Sequence, residues 1–384
     1  MSRFLFVVPP LSGHTNPTVS VAAELEARGH GVAWVGHGAV VERLLPEGAR
    51  LHSLDAELPP GFLDEIGARA RRLRGLEGLV FLWEEVLIPL ARSMLPGVRA
   101  AVRAFEPDVL VVDQQALAGA LLARAEGLPW ATFATTSADR AESLAGLPRV
   151  LAWTEERLAE LQREHGLEPV REPENAPALV VVFSTAALVG DTGRFPPQYR
   201  FVGPSIHRRR SDVSFPWEAL GEEPVVLVSL GTLNAERGAR FFGAVREALA
   251  DEPLQVVLVA PPELGPFPDN FLVRPFVPQL ELLPRVSAVV CHAGHNTVCE
   301  ALAHGLPLVV APIKDDQPVV AQQVADAGAG LRLSFTRPRP AQLREAVRRV
   351  LDEPAFRAAA ARVRASFEAA GGAARTAELL EGLA

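Results

Sequence analysis

Short apolar runs alternate with helix-length stretches along nearly the whole chain, and this alternation constrains the fold more than any other feature. Strands that return after a helix-length crossover pair in parallel, and parallel sheets are covered by helices on both faces. Phe4–Val8 is the first apolar run, stopped by Pro9-Pro10. Asn16 is then expected to cap a helix with Pro17 at its first position, where a missing N–H does no harm; Gly29 ends it. Further strands are expected at Val32–Val35, Val109–Val112, Ala131–Ala134, Leu179–Phe183 and Arg200–Val202, with helical stretches such as Leu151–Glu164 between most of them. A second series runs through Val225–Ser229, Gln255–Ala260, Leu272–Phe276, Ala288–Cys291, Leu308–Ala311 and Gly330–Ser334.

Two such series imply an α/β protein of two doubly wound domains. The 384 residues agree, since single cores stop growing at about 250–300 residues. The expected division is 1–205, a connector at 206–224 and 225–384, with a C-terminal helix able to pack back on the first domain. Arg208-Arg209-Arg210 in the connector fits a solvated linker better than an anion-docking spot.

The composition is globular, with 48% hydrophobic and 22% charged residues. A net charge of −8 argues against a general nucleic-acid binder, which meets phosphates with a basic surface. Two cysteines exclude a disulfide framework and fit a reducing compartment, so the expected location is cytoplasmic. No signal peptide and no membrane span is evident. Arg69, Arg71, Arg72 and Arg74 precede an apolar stretch with Leu79, Phe81, Leu82, Trp83, Val86, Leu87 and Ile88. An amphipathic helix packed on the core is the favoured reading, with a few residues available to line a pocket; peripheral membrane contact stays open.

The loop after the first strand is Pro10-Leu11-Ser12-Gly13-His14-Thr15-Asn16-Pro17, not the G-x-G-x-x-G of a dinucleotide site. It places His14 at a strand's carboxyl end, where a neutral imidazole can accept a hydroxyl proton. A bond to the helix N-terminus or a loop carbonyl is the alternative. Asp113 ends Val109–Val112 on the same edge. It can fix the imidazole tautomer, or simply form a turn or cap.

The second domain carries the denser signal. Phe276-Val277-Pro278-Gln279 precedes Cys291-His292-Ala293-Gly294-His295-Asn296-Thr297-Val298-Cys299-Glu300, and Lys314-Asp315-Asp316-Gln317 follows. Gly294 permits a close turn, and a helix starting near Asn296–Thr297 offers its N–H groups to a diphosphate. His292 and Thr297 add donors. Glu300 can accept two ribose hydroxyls or, as the end of Thr297-x-x-Glu300, close a capping box. Asp316 and Gln317 can bond sugar hydroxyls; Asp316 can equally cap the helix that Pro318 begins. Cys291, His292, His295 and Cys299 are poor zinc ligands together, because adjacent strand side chains point to opposite faces. Asp315-Asp316 is not an Asp-x-Asp metal motif.

The segment Phe276–Gln317 resembles the nucleotide-sugar signature of glycosyltransferase family 1, which includes macrolide, antibiotic, flavonoid and carotenoid glycosyltransferases. The resemblance extends to the Gly13-His14 loop, to Asp113 and to Val228-Ser229-Leu230-Gly231-Thr232. It implies the GT-B fold, with two Rossmann-like domains facing across a cleft, and inverting, metal-independent transfer from a UDP- or dTDP-sugar. By the same resemblance His14 is the general base and Asp113 its partner. His292, Gly294, Asn296 and Thr297 form the diphosphate turn, with Ser229 and Thr232 in the facing loop. Glu300 binds ribose, and Asp316 and Gln317 bind the sugar. Phe276, with Val277 and Gln279 beside it, stands where plant members carry a tryptophan that stacks on uracil; His295 also replaces a tryptophan. The implied partners are a nucleotide sugar and a small apolar or aromatic acceptor, with no resident cofactor and a monomer or homodimer as the assembly. A nucleotide-sugar epimerase and a non-catalytic auxiliary protein share the architecture.

Overall fold

The computed structural model describes residues 1–54, 61–70, 73, 75–136, 147–206, 213–231 and 238–384. Thr232, Arg71, Arg72, Arg74 and Arg208–Arg210 lie outside the described residues. The chain separates into two compact units. One comprises Met1–Phe183, Gly193–His207 and Ala370–Ala384; the other comprises Ser184–Thr192 and Arg208–Ala369. A short internal segment thus belongs to the second unit and the C-terminal segment to the first.

The first unit holds a seven-stranded sheet in the order β3-β2-β1-β4-β5-β6-β7. Its strands are β1 (Arg3–Val7), β2 (Gly31–Gly36), β3 (Leu51–Ser53), β4 (Val109–Asp113), β5 (Trp130–Ala134), β6 (Val180–Val182) and β7 (Tyr199–Phe201). All pairings are parallel. Side chains alternate between two cores, as a period of two requires. Leu5, Val7, Leu110 and Val112 pack with the helices Ile88–Phe105 and Leu117–Glu126. Phe4, Phe6, Val109 and Val111 face the other way, onto Val21 and Leu25 of the helix Ser12–Ala27 and Ala377 and Leu380 of the helix Gly372–Glu381. That last helix enters through Gly371 and Gly372, whose φ angles of 88° and 51° favour glycine. It is tied down by Arg28 Nη1 on Glu381 Oε2 at 3.0 Å and by the Gly372 amide on the Val202 carbonyl at 2.7 Å.

The second unit repeats the plan with six parallel strands in the order β10-β9-β8-β11-β12-β13. These are β8 (Val225–Ser229), β9 (Gln255–Val259), β10 (Phe271–Arg274), β11 (Ala288–Cys291), β12 (Leu308–Val310) and β13 (Gly330–Arg332). Val225, Leu227, Val289 and Leu308 pack on one side; Val226, Val228, Val290 and Val309 pack on the other. Residues on both faces are buried, which explains why these strands read as continuous apolar runs.

Two local expectations change. The first helix starts at Ser12, with Leu11 at its cap position and Pro17 inside it. Pro17 withholds one hydrogen bond, and the helix continues past it to pack Val21, Ala22 and Leu25 into the core. The apolar stretch after Arg69 forms Gly75–Phe81, a π-helical turn at Leu82–Leu87 and the start of Ile88–Phe105. Trp83, Leu87 and Ile88 are core residues, and Leu79 and Leu82 pack against them. Among the described residues no helix is long and apolar enough to cross a membrane.

Candidate active site

In a doubly wound sheet, ligands bind beyond the carboxyl ends of neighbouring strands whose connections leave in opposite directions. In the first sheet this point lies between β1 and β4. The helix after β1 presents His14 there, and Asp113 is the last residue of β4. His14 Nδ1 is 2.9 Å from each carboxylate oxygen of Asp113. Both side chains are buried. An ionised carboxylate only accepts, so the contact puts the proton on Nδ1 and the lone pair on Nε2, the form suited to taking a proton. Asp113 also forms the turn: its Oδ1 accepts the Gln115 amide at 2.8 Å. The two readings of this residue therefore coexist.

A third group was not legible in the pattern. Thr135 follows β5 directly, on the same edge, and is 2% exposed. Its hydroxyl donates to Asp113 Oδ2 at 2.6 Å and stands 2.8 Å from His14 Nδ1. The usable signal was positional: the expected strand Ala131–Ala134 ends one residue before a hydroxyl.

The corresponding point of the second sheet lies between β8 and β11, where Ser229 and Cys291 are paired. After Cys291 the chain turns through His292 and Ala293, and the helix His295–Ala303 begins with Gly294 at its cap position. Ala293 has φ 64°, in the left-handed region that costs a non-glycine residue about 1–3 kcal/mol. The His292 ring fills the space between two glycines. A Cβ on Gly231 would sit 2.8 Å from its Cε1, and one on Gly294 2.6 Å from its Nε2. Either substitution would push the ring out of its place.

Because Gly294 occupies the cap position, Thr297 lies inside the helix and cannot head a capping box with Glu300. Glu300 instead accepts a hydrogen bond from Gln279 Nε2 at 2.6 Å. Asn296 and Thr297 are in the first turn and partly exposed. Gln317 opens the helix Gln317–Asp326, with Asp316 at its cap position making no side-chain cap bond. The Gln317 Oε1 accepts the amides of Ile313 and Lys314 at 2.9 and 3.0 Å, so its Nε2 is the group left to donate outward. Phe276 is 60% exposed, while Val277 packs against the core. Burial pushes the Cys291 thiol up to about 12 and Cys299 up as well, and Cys299 Sγ lies 3.6 Å from His295 Nε2.

Burial pushes His292 down to about 4, with the Ser229 main chain opposing weakly. The ring is therefore neutral at pH 7. Between its ordinary value of 6.5 and 4, the unfolded chain binds a proton that the native chain does not, so stability rises with pH in that window. The contribution is present above the ordinary value and is lost as pH falls, by up to roughly 3 kcal/mol. Denaturant unfolding at pH 7 and pH 4.5 should show His292→Gln losing less stability on acidification than the parent. Equal losses would remove His292 from the acid response.

Comparison with known proteins identifies the family. The model for the C-terminal domain of erythromycin biosynthesis protein CIII-like proteins matches residues 249–383. The chain is 33% identical to 4'-demethylrebeccamycin synthase of Lentzea aerocolonigenes, covering 100% of this chain and 99% of the relative. It is 31% identical to demethyllactenocin mycarosyltransferase of Streptomyces fradiae, covering 100% and 87%. Among solved structures, the glycotransferase of kitacinnamycin superposes with a TM-score of 0.81 at 27% identity, over 100% of this chain and 99% of that one. The chain thus belongs to glycosyltransferase family 1, as a GT-B glycosyltransferase of the antibiotic type.

Proposed function

We propose that the protein moves a sugar from a UDP- or dTDP-sugar to a hydroxyl of a small apolar or aromatic natural product, with inversion and without a metal or resident cofactor. The observation that carries this reading is the buried His14–Asp113 contact at the first sheet's switch point. The names of the relatives support a natural-product acceptor: one is a 4'-demethylrebeccamycin synthase, the other a demethyllactenocin mycarosyltransferase. His14 Nε2 takes the acceptor's hydroxyl proton as its oxygen attacks the anomeric carbon. The bond from that carbon to the diphosphate oxygen breaks, and the electron pair leaves with the diphosphate. One in-line displacement inverts the configuration. The imidazolium that forms is stabilised by Asp113.

The departing charge falls to main-chain N–H groups at the start of His295–Ala303 and to neutral His292. This supports metal independence, as does the lack of an Asp-x-Asp sequence. Glu300 takes the ribose hydroxyls, Phe276 the base, and Asp316 and Gln317 the sugar. The test is a panel of UDP- and dTDP-sugars against polyphenol, macrolide and carotenoid acceptors, read by mass spectrometry with and without EDTA. Glycosylated product with free nucleoside diphosphate, undiminished by EDTA, is expected. Activity that vanishes in EDTA and returns with Mg²⁺ or Mn²⁺ overturns metal independence. A changed nucleotide sugar without free diphosphate establishes an epimerase instead.

A further inference from the structure

We propose that Thr135 is a positioning residue of the proton-accepting group, acting through Asp113 to hold His14 in one tautomer and one orientation. The inference rests on the proposed role of His14 as base. The two carboxylate oxygens of Asp113 are equidistant from His14 Nδ1, so the imidazole contact alone does not fix the carboxylate. Each oxygen has its own second donor. Gln115 N–H pins Oδ1 at 2.8 Å, and the Thr135 hydroxyl pins Oδ2 at 2.6 Å.

The proton arrangement of the three side chains is then determined. The Thr135 hydrogen is committed to Oδ2, so its oxygen turns a lone pair toward His14 Nδ1, 2.8 Å away. Nδ1 therefore faces three acceptor oxygens. With its proton there, all contacts are attractive; with the proton on Nε2, a lone pair would face three others. Thr135 thereby strengthens the tautomer that leaves Nε2 able to accept a proton. When His14 becomes an imidazolium, the Nδ1–H bonds are already in place and no group reorganises.

The backbone supports the placement. Phe133 of β5 is in register with Asp113 of β4, so Thr135 stands two residues beyond that pair. Gln114 Nε2 donates to Thr136 Oγ1 at 2.6 Å, which laces the segments after the two strands together one residue further along. All three members of the group are buried, Asp113 to 1% exposure, so water does not replace a missing hydroxyl.

The experiment compares the parent with Thr135→Val, Thr135→Ser and His14→Ala, measuring kcat, both KM values and nucleotide affinity separately. Thr135→Val should lower kcat by about 10- to 100-fold with donor and acceptor KM unchanged, the scale of one lost hydrogen bond to a charged group. Thr135→Ser keeps the hydroxyl and should stay within a few-fold of the parent. In an Asp113→Asn background, Thr135→Val should add little. Thr135→Ala is read in the same way if the valine variant does not fold. An unchanged kcat overturns the proposal, as does a loss confined to donor KM, which would make Thr135 a sugar contact. If His14→Ala keeps the parent rate, the base assignment itself is wrong; if it is inactive while Thr135→Val is not, only the role of Thr135 fails.

Discussion

Replacing His14 by alanine should slow the transfer step by roughly 10²–10⁴-fold, the usual contribution of a general base. Nucleotide affinity should stay nearly constant, because the residues assigned to the nucleotide belong to the other unit of the chain. Asp113→Asn should also slow transfer without weakening the nucleotide. An amide carries no charge to stabilise the imidazolium, and its NH2 group can turn toward Nδ1 and favour the wrong tautomer. Because the two residues act as one unit, their losses should not add. The double variant should be about as slow as His14→Ala alone. A double-mutant cycle on the transfer rate, with calorimetric nucleotide titration alongside, provides the check. Parent transfer activity in a folded His14→Ala protein would refute His14 as the base and leave the transfer to another proton acceptor.

The strand pattern was legible because buried parallel strands are apolar on both faces. Val225–Ser229 and Ala288–Cys291 coincide with the observed strands. β3 escaped notice because Leu51–Ser53 is three residues of mixed polarity at the sheet edge. Pro17 misled the reading of the first helix, since local proline chemistry says nothing of the core packing of the residues that follow it. The His14–Asp113 contact could be anticipated from two strand ends on one edge. Thr135 could not, because a threonine after a strand is common and its role depends on which strand lies beside it. The transfer of Ser184–Thr192 to the second unit is likewise tertiary: Leu188 is buried with Val225 and Leu282, and Ser366 Oγ donates to Thr185 Oγ1 at 2.7 Å.

Glu300→Ala should weaken nucleotide binding by about 10²-fold, the scale of losing hydrogen bonds from two hydroxyls to one carboxylate. Thr297 heads no capping box in the observed helix, so the helix start survives the change. One carboxylate oxygen already accepts from Gln279, which holds the group in place rather than leaving it to swing. Gln279→Ala should consequently give a smaller loss of the same kind. Thermal unfolding with UDP or dTDP makes the effect measurable. A ligand at a hundredfold excess over its Kd stabilises the native state by about 2.7 kcal/mol, and the same concentration at a hundredfold weaker Kd gives only about 0.4 kcal/mol. The nucleotide-dependent rise in Tm should therefore nearly vanish in Glu300→Ala and persist in His14→Ala. Removing the carboxylate also leaves the Gln279 amide without its partner, so Tm without nucleotide falls somewhat, and the response must be taken as a difference within each variant. A full nucleotide response in Glu300→Ala would reduce Glu300 to an anchor for Gln279 and remove it from ribose recognition.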